Sequence, residues 1–175
     1  MALFTSENTV SSLITQMQKL DLDILDFLLV GRCRIYPMAL ARLGAQAPAA
    51  LLQAISQERS RTLIIIDSLT PAVIHAPDEA LILRFFEECK RLCATGTSII
   101  VTLHAQGVNE DMLSPIRSMC DADLRLRAEQ DGQRVVKTLE VSKVRGAASV
   151  TGAIVGFDVE PGWGMRVIPI SKARG

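Results

Sequence analysis

The sequence has no excess of either charge: nineteen Lys and Arg face nineteen Asp and Glu across 175 residues. A chain without a net field argues against a broad electrostatic footprint for nucleic acid or an anionic membrane, although a local basic patch stays open. No stretch approaches the ~20 consecutive apolar residues that cross a bilayer. Residues 1–8 lack the basic and then apolar order of a signal peptide, so a cytoplasmic chain is expected. Cysteine is sparse and holds no Cys-x-x-Cys pair; the four are Cys33, Cys89, Cys93 and Cys120. Cys89 and Cys93 stand four apart, where a helix would bring them to one face as half a metal site, but no His accompanies them. Small buried thiols in a reducing compartment are the plainer account. Internal repeats, low-complexity tracts and long linkers are also missing. Apolar material is plentiful: 49% of the residues are hydrophobic and mean hydropathy is +0.27. That composition excludes disorder and suits one domain over residues 1–175.

Strands and helices alternate along the first two thirds. Asn8 or Thr9 caps a helix whose stripe is Val10, Leu13, Ile14 and Met17, at helical spacing. An apolar stretch, 24–30, leads through Gly31 to a strand around 32–36, and Pro48 opens a helix through Leu51, Leu52 and Ile55. Residues 62–66 and 97–103 are continuous apolar runs rich in β-branched residues, the pattern of strands buried on both faces of a parallel sheet. Between them lies an amphipathic helix over 78–93, stopped by Gly96. A further helix over 111–120 carries Pro115, where a kink or break is expected. The pattern then turns to period two. Leu124, Leu126 and Ala128 alternate with Arg125, Arg127 and Glu129. Asp131-Gly132 signals a hairpin into a strand over 135–144, and Pro161-Gly162 joins strands over 154–159 and 165–170. The fold class is α/β, a mixed sheet with a parallel centre and antiparallel C-terminal hairpins.

Chemistry concentrates where the apolar strands end. Leu63-Ile64-Ile65-Ile66-Asp67-Ser68 delivers a carboxylate from a rigid strand, as a Walker B motif does when it orients Mg²⁺ directly or through water. By itself such a run is common, and Asp67 reads equally as a loop cap. Open α/β sheets, however, bind ligands beyond the C-terminal ends of their strands. Glu7 follows residues 3–6 and His104 follows 97–103, so three polar residues emerge at such ends. Together they suggest a carboxylate base, a metal-orienting carboxylate and a polar sensor in one crevice. Separately they read as a first-turn helix charge, a cap and a strand-end imidazole. Lys143 and Arg145 stand at i and i+2 before Gly146, on one face of a strand. There they either meet a common anion such as a phosphate or form a solvated face.

Phe4-Thr5-Ser6-Glu7-Asn8, Ile64-Ile65-Ile66-Asp67-Ser68-Leu69-Thr70, Ile99-Ile100-Val101-Thr102-Leu103-His104 and Ser142-Lys143-Val144-Arg145-Gly146 occur in the order found in KaiC-like RecA-superfamily ATPases. Within these the chain resembles the archaeal flagellar (archaellum) accessory ATPases, the FlaH group. Its tail, Gly156-Phe157-Asp158-Val159 and Gly164-Met165-Arg166-Val167-Ile168-Pro169, is similar as well. The resemblance implies a RecA-like P-loop NTPase core that binds ATP and Mg²⁺. Asp67 would be the Walker B aspartate on the metal, with Ser68 and His104 beside the nucleotide. Glu7 would be the glutamate that polarises the attacking water; KaiC itself has two adjacent acids where this chain has Ser6-Glu7. Lys143 and Arg145 would reach the γ-phosphate on a neighbouring subunit of a homo-oligomeric ring. The implied partners are the archaellum motor ATPase and its membrane platform protein.

One part of that pattern is missing. A RecA-type core opens with a strand, G-x-x-x-x-G-K-[ST] and a helix, whose backbone N–H groups and Lys hold the phosphates. The sequence contains no Gly-Lys pair and starts at what would be the second strand. Tight ATP binding by this chain alone is therefore not expected, and a truncated product or a fragment is the expectation. Absence of the strand carrying the loop should leave apolar faces and backbone groups uncovered. The competing function is a non-catalytic module that docks on a motor ring. A DNA-dependent recombinase ranks last, because the loop over 105–115 holds two acids and no Lys or Arg.

Overall fold

The computed structural model describes residues 1–131, 134–146 and 152–168. It divides into two compact units: Met1–Met17 with Asp23–Met119, and Gln18–Leu22 with Cys120–Gly175.

The first unit is a parallel sheet with helical crossovers. In chain order it runs β1 (Ala2–Thr5), α1 (Val10–Lys19), α2 (Leu25–Leu29), β2 (Arg34–Pro37), α3 (Leu40–Leu43), α4 (Ala47–Gln57), β3 (Leu63–Asp67), α5 (Thr70–Ile74), α6 (Glu79–Ala94), β4 (Ser98–Val101) and α7 (Glu110–Met119). Sheet order is β2-β1-β3-β4, every pair parallel, with Thr5 opposite Pro37 and Asp67. Crossover helices are what parallel strands require, because a tight turn cannot return the chain in the same direction. The expected stripe of α1 buries Leu13, and α6 begins at Asp78, whose carboxylate accepts the Leu81 N–H at 2.8 Å. Gly96, with φ of +99°, follows the end of α6 in a conformation that favours glycine. Pro115 does not break its helix: α7 continues through it.

Ala2, Phe4, Ile64 and Ile66 from the two central strands form the middle of the core, with Leu51 and Ile55 of α4 and Ile82 and Phe85 of α6. Each large side chain buried this way contributes about 1.5–3 kcal/mol. Phe4 stacks on Tyr36 with ring centroids 5.0 Å apart. A single buried acid ties the opposite end of the sheet. Glu58, 5% exposed, accepts hydrogen bonds from Arg34 (2.9 Å), Tyr36 (2.6 Å) and Arg61 (3.0 Å). The Tyr36 hydroxyl, foremost among these donors, holds the Glu58 carboxyl below its ordinary range despite burial.

β4 departs from the sequence expectation. It is shorter than residues 97–103, none of its four residues is buried, and Ile100 is 51% exposed. The apolar run suits an interior strand, but here β4 lies at the end of the sheet with β3 as its sole described neighbour. Its outer backbone edge is left unpaired among the described strands.

The second unit is an antiparallel sheet, β5 (Ala122–Asp131), β6 (Arg134–Val144), β7 (Ile154–Glu160) and β8 (Gly164–Ile168), in that order. The single mixed sheet expected from the sequence is thus two four-stranded sheets, one parallel and one antiparallel. The hairpin across Asp131 pairs it with Arg134. Gly132 of that turn, and Pro169 and Ile170 of the tail, lie outside the described residues. At the β7–β8 turn the Gly162 N–H donates to the Leu20 carbonyl at 2.6 Å, tying residues 18–22 to this sheet. Cross-strand registers put Leu124, Leu126, Val135, Leu139, Val141, Val155, Phe157, Val159, Met165 and Val167 on one face. Leu126 at 67% and Val167 at 59% are well exposed there, whereas Phe157 is buried.

Candidate functional site

Parallel pairing brings the C-terminal ends of β1, β3 and β4 to one rim. The sequence places Glu7, Asp67, Ser68 and His104 at or just past those ends, and the structure joins Glu7, Ser68 and His104 into one hydrogen-bonded group with Asp67 on the same rim. Ser68 is fully buried, and its hydroxyl donates to Glu7 Oε1 at 2.7 Å. The same oxygen meets His104 Nε2, also at 2.7 Å. Ser6, given no role in the sequence reading, locks Ser68 in place. Its Oγ accepts the Ser68 N–H at 3.1 Å and donates to the Ser68 carbonyl at 2.9 Å, across a cis Asp67–Ser68 peptide.

Asp67 is held from the other side. Thr102 Oγ1 donates to Asp67 Oδ1 at 2.7 Å, and among the described residues no bond takes Oδ2. Thr5 and Thr70 set the neighbouring backbone. Thr5 Oγ1 accepts from the Glu7 and Asn8 N–H groups at 3.3 and 3.1 Å, and Thr70 Oγ1 accepts from the His104 N–H at 2.8 Å. These threonines and Ser6 escaped the sequence reading because they carry no charge. The signal that could have found them is a Ser or Thr at three successive strand ends, since strand-end backbone amides need acceptors.

The electrostatics follow from these bonds. The Ser68 hydroxyl, and after it the His104 ring, hold the Glu7 carboxyl below its ordinary value of 4.5, outweighing the effect of burial. Glu7 is therefore an ionised acceptor at neutral pH. Such a group orients and polarises a water well and stores a proton poorly.

The donor set decides what cation could sit here. Mg²⁺ takes six oxygens, usually one or two carboxylates with phosphates and waters making up the rest. Among the described residues no three His, Cys, Asp or Glu gather into a metal cage. Asp67 Oδ2 is nevertheless an open oxygen on the rim. This set fits a metal that arrives with a phosphate and does not fit a resident all-protein site.

Lys143 and Arg145 belong to the second unit and are engaged there. The Lys143 ammonium donates to the Cys120 carbonyl at 2.7 Å. Arg145 donates its backbone N–H to Asp121 O at 2.7 Å and pairs its guanidinium with Asp121 Oδ1 at 3.3 Å. β6 ends at Val144, and Gly146 takes φ of +84° in the turn.

This fold has solved relatives. The flagellar accessory protein FlaH from Methanocaldococcus jannaschii matches with a TM-score of 0.78 and 21% identity over 96% of this chain and 76% of that one. A KaiC-like protein from Pyrococcus horikoshii OT3 matches with a TM-score of 0.74 and 16% identity, covering 96% of this chain and 74% of that one. The chain therefore has the α/β fold of KaiC-like, RecA-type proteins. It is also 31% identical over 177 residues to the archaeal flagellar ATP-binding protein FlaH of Sulfolobus acidocaldarius, spanning 98% of this chain and 77% of that protein. The chain belongs to the FlaH family. No established family profile matches the sequence.

Proposed function

We propose that this chain is an ATP-binding, ATPase-type regulatory subunit of the archaellum machinery. One observation carries the reading: two carboxylates, Glu7 and Asp67, share the rim above β1, β3 and β4, each with one oxygen bonded within the protein and one open. Asp67 takes the Walker B part, orienting Mg²⁺ directly or through water. Glu7 polarises the water that attacks. Mg-ATP supplies the phosphoanhydride to be cleaved and the cation that neutralises its charge. Ser68 and His104 border the same rim. Lys143 and Arg145 are the cations assigned to the γ-phosphate across a subunit boundary in an oligomer, after exchanging their bonds to Cys120 and Asp121. The FlaH relationship supports docking to the archaellum motor ATPase and its membrane platform. Among the described residues no helix is long and apolar enough to cross a membrane.

The chain's own residues leave the phosphates without a cradle, since the sequence has no Gly-Lys pair. We assign that part to a strand–loop–helix segment pairing along the open edge of β4, where Ile100 is exposed. The test is calorimetric titration of Mg-ATP into the chain joined at its N-terminus to such a segment, with and without Asp67→Ala. Binding that requires Mg²⁺ and weakens at least tenfold in the variant is expected. Absence of any binding by the completed protein would overturn the nucleotide reading. A second reading, docking without nucleotide, draws on the missing Gly-Lys pair and would then stand.

A further inference from the structure

Two donors from two different strand ends land on one and the same oxygen. Ser68 Oγ and His104 Nε2 both lie 2.7 Å from Glu7 Oε1, and among the described residues Oε2 accepts nothing.

A glutamate at the edge of a solvent-facing rim ordinarily turns among several rotamers, and its two oxygens interchange. Two donors on one oxygen remove that freedom. They fix the carboxylate plane and decide which oxygen faces outward. The donors are themselves fixed. Ser68 is fully buried and its backbone N–H and carbonyl each hydrogen-bond Ser6 Oγ, and the His104 backbone is tied to Thr70. Glu7 and His104 side chains remain 43% and 62% exposed, so water reaches the free oxygen.

We propose that Ser68 and His104 are positioning residues: they form a two-point clamp that aims Glu7 Oε2 at the reacting water, and they act on Glu7 and not on the nucleotide. This rests on the reading of Glu7 given above, while the clamp can be tested without nucleotide. A carboxylate receiving two hydrogen bonds keeps its charge to lower pH than one receiving none. The titration therefore reports whether each donor bonds Glu7, which the clamp requires.

The experiment follows the side-chain carboxyl carbon of Glu7 by NMR across pH in the full chain, labelled with ¹³C-glutamate and assigned by Glu7→Gln. Variants are Ser68→Ala, Ser68→Thr, His104→Phe and His104→Gln. The midpoint should move to higher pH in Ser68→Ala and in His104→Phe. It should stay near the wild-type value in Ser68→Thr, and move less in His104→Gln, which keeps a donor, than in His104→Phe. An unchanged midpoint in His104→Phe overturns the clamp. If Ser68→Ala does not fold, the two His104 variants decide, since that side chain is largely exposed. Because no nucleotide is present, a failure to bind ATP leaves this result intact. A chain that binds Mg-ATP while Glu7 titrates identically in all variants sinks the clamp alone. In any preparation that turns over ATP, His104→Phe should lower kcat about tenfold with KM little changed, the mark of lost orientation.

Discussion

Glu7 and Glu58 are both carboxylates held below their ordinary range, yet they serve opposite purposes, and their surroundings say why. Glu7 spends one oxygen on protein donors and keeps the other open to the rim. Glu58 spends both oxygens on Arg34, Tyr36 and Arg61 and is shut away from water. Glu58→Gln removes the charge and replaces one of two accepting oxygens by a donor facing Arg34, Tyr36 or Arg61, so it should cost about 1–3 kcal/mol in a urea melt at neutral pH. The sign with pH follows from the lowered value. Stabilisation by Glu58 is full above the ordinary glutamate value of 4.5 and is lost as pH falls through its lower folded value. Urea midpoints measured between pH 6 and 3 should therefore fall less steeply in Glu58→Gln; equal slopes would show that the cluster plays no part in acid unfolding. Asp67 is the reverse case, a carboxylate anchored, among the described residues, by Thr102 alone. Asp67→Ala should reduce Mg-dependent ATP turnover about 100-fold or more in a completed protein, with the thermal midpoint nearly unchanged, because no core contact goes with it.

Among elements, β3 and β4 show what a run of apolar residues can and cannot reveal. Leu63–Asp67 and the run ending in Leu103 read alike, as interior strands, and periodicity cannot tell a centre from an edge. β3 does pack Ile64 and Ile66 completely, while β4 has a neighbour on one side only among the described strands. Strand ends were legible: Glu7, Asp67 and His104 stand where the apolar runs stop, and parallel pairing brings them together. The hydroxyl groups that hold them were not, since Ser and Thr carry no charge or periodic signal and their bonds depend on strands being brought side by side. Pro115 does not end its helix, for a related reason. Its ring forbids one intrahelical bond, but α7 retains the buried contacts of Leu113 and Ile116 and continues past it. The same logic gives a prediction at this scale. Ile100→Lys places a charge on the open edge of β4 where little packing is lost. It should change stability by no more than about 0.5 kcal/mol while lowering self-association seen by light scattering. An unaltered scattering profile would locate the sticky surface elsewhere, with the apolar face of the antiparallel sheet next in line.

Across the whole molecule, the FlaH relationship and the rim of carboxylates point the same way, but they leave Lys143 and Arg145 occupied with Cys120 and Asp121. If those cations serve a neighbouring subunit, Arg145→Ala should reduce turnover about tenfold or more only in oligomeric fractions of a completed protein. Equal loss in monomeric fractions, separated by size exclusion, would place the contact within one subunit. Sheet order has a further consequence, for synthesis. Ala2–Thr5 is made before both of its neighbours, and it occupies an interior position between Arg34–Pro37 and Leu63–Asp67. Its second neighbour is translated some sixty residues later, which at roughly 5–20 residues per second is a wait of several seconds. Through that interval Phe4 has no finished core to enter. The ribosome thus sets the order of assembly, and the rim bearing Glu7 and Asp67 cannot exist until the third strand has emerged.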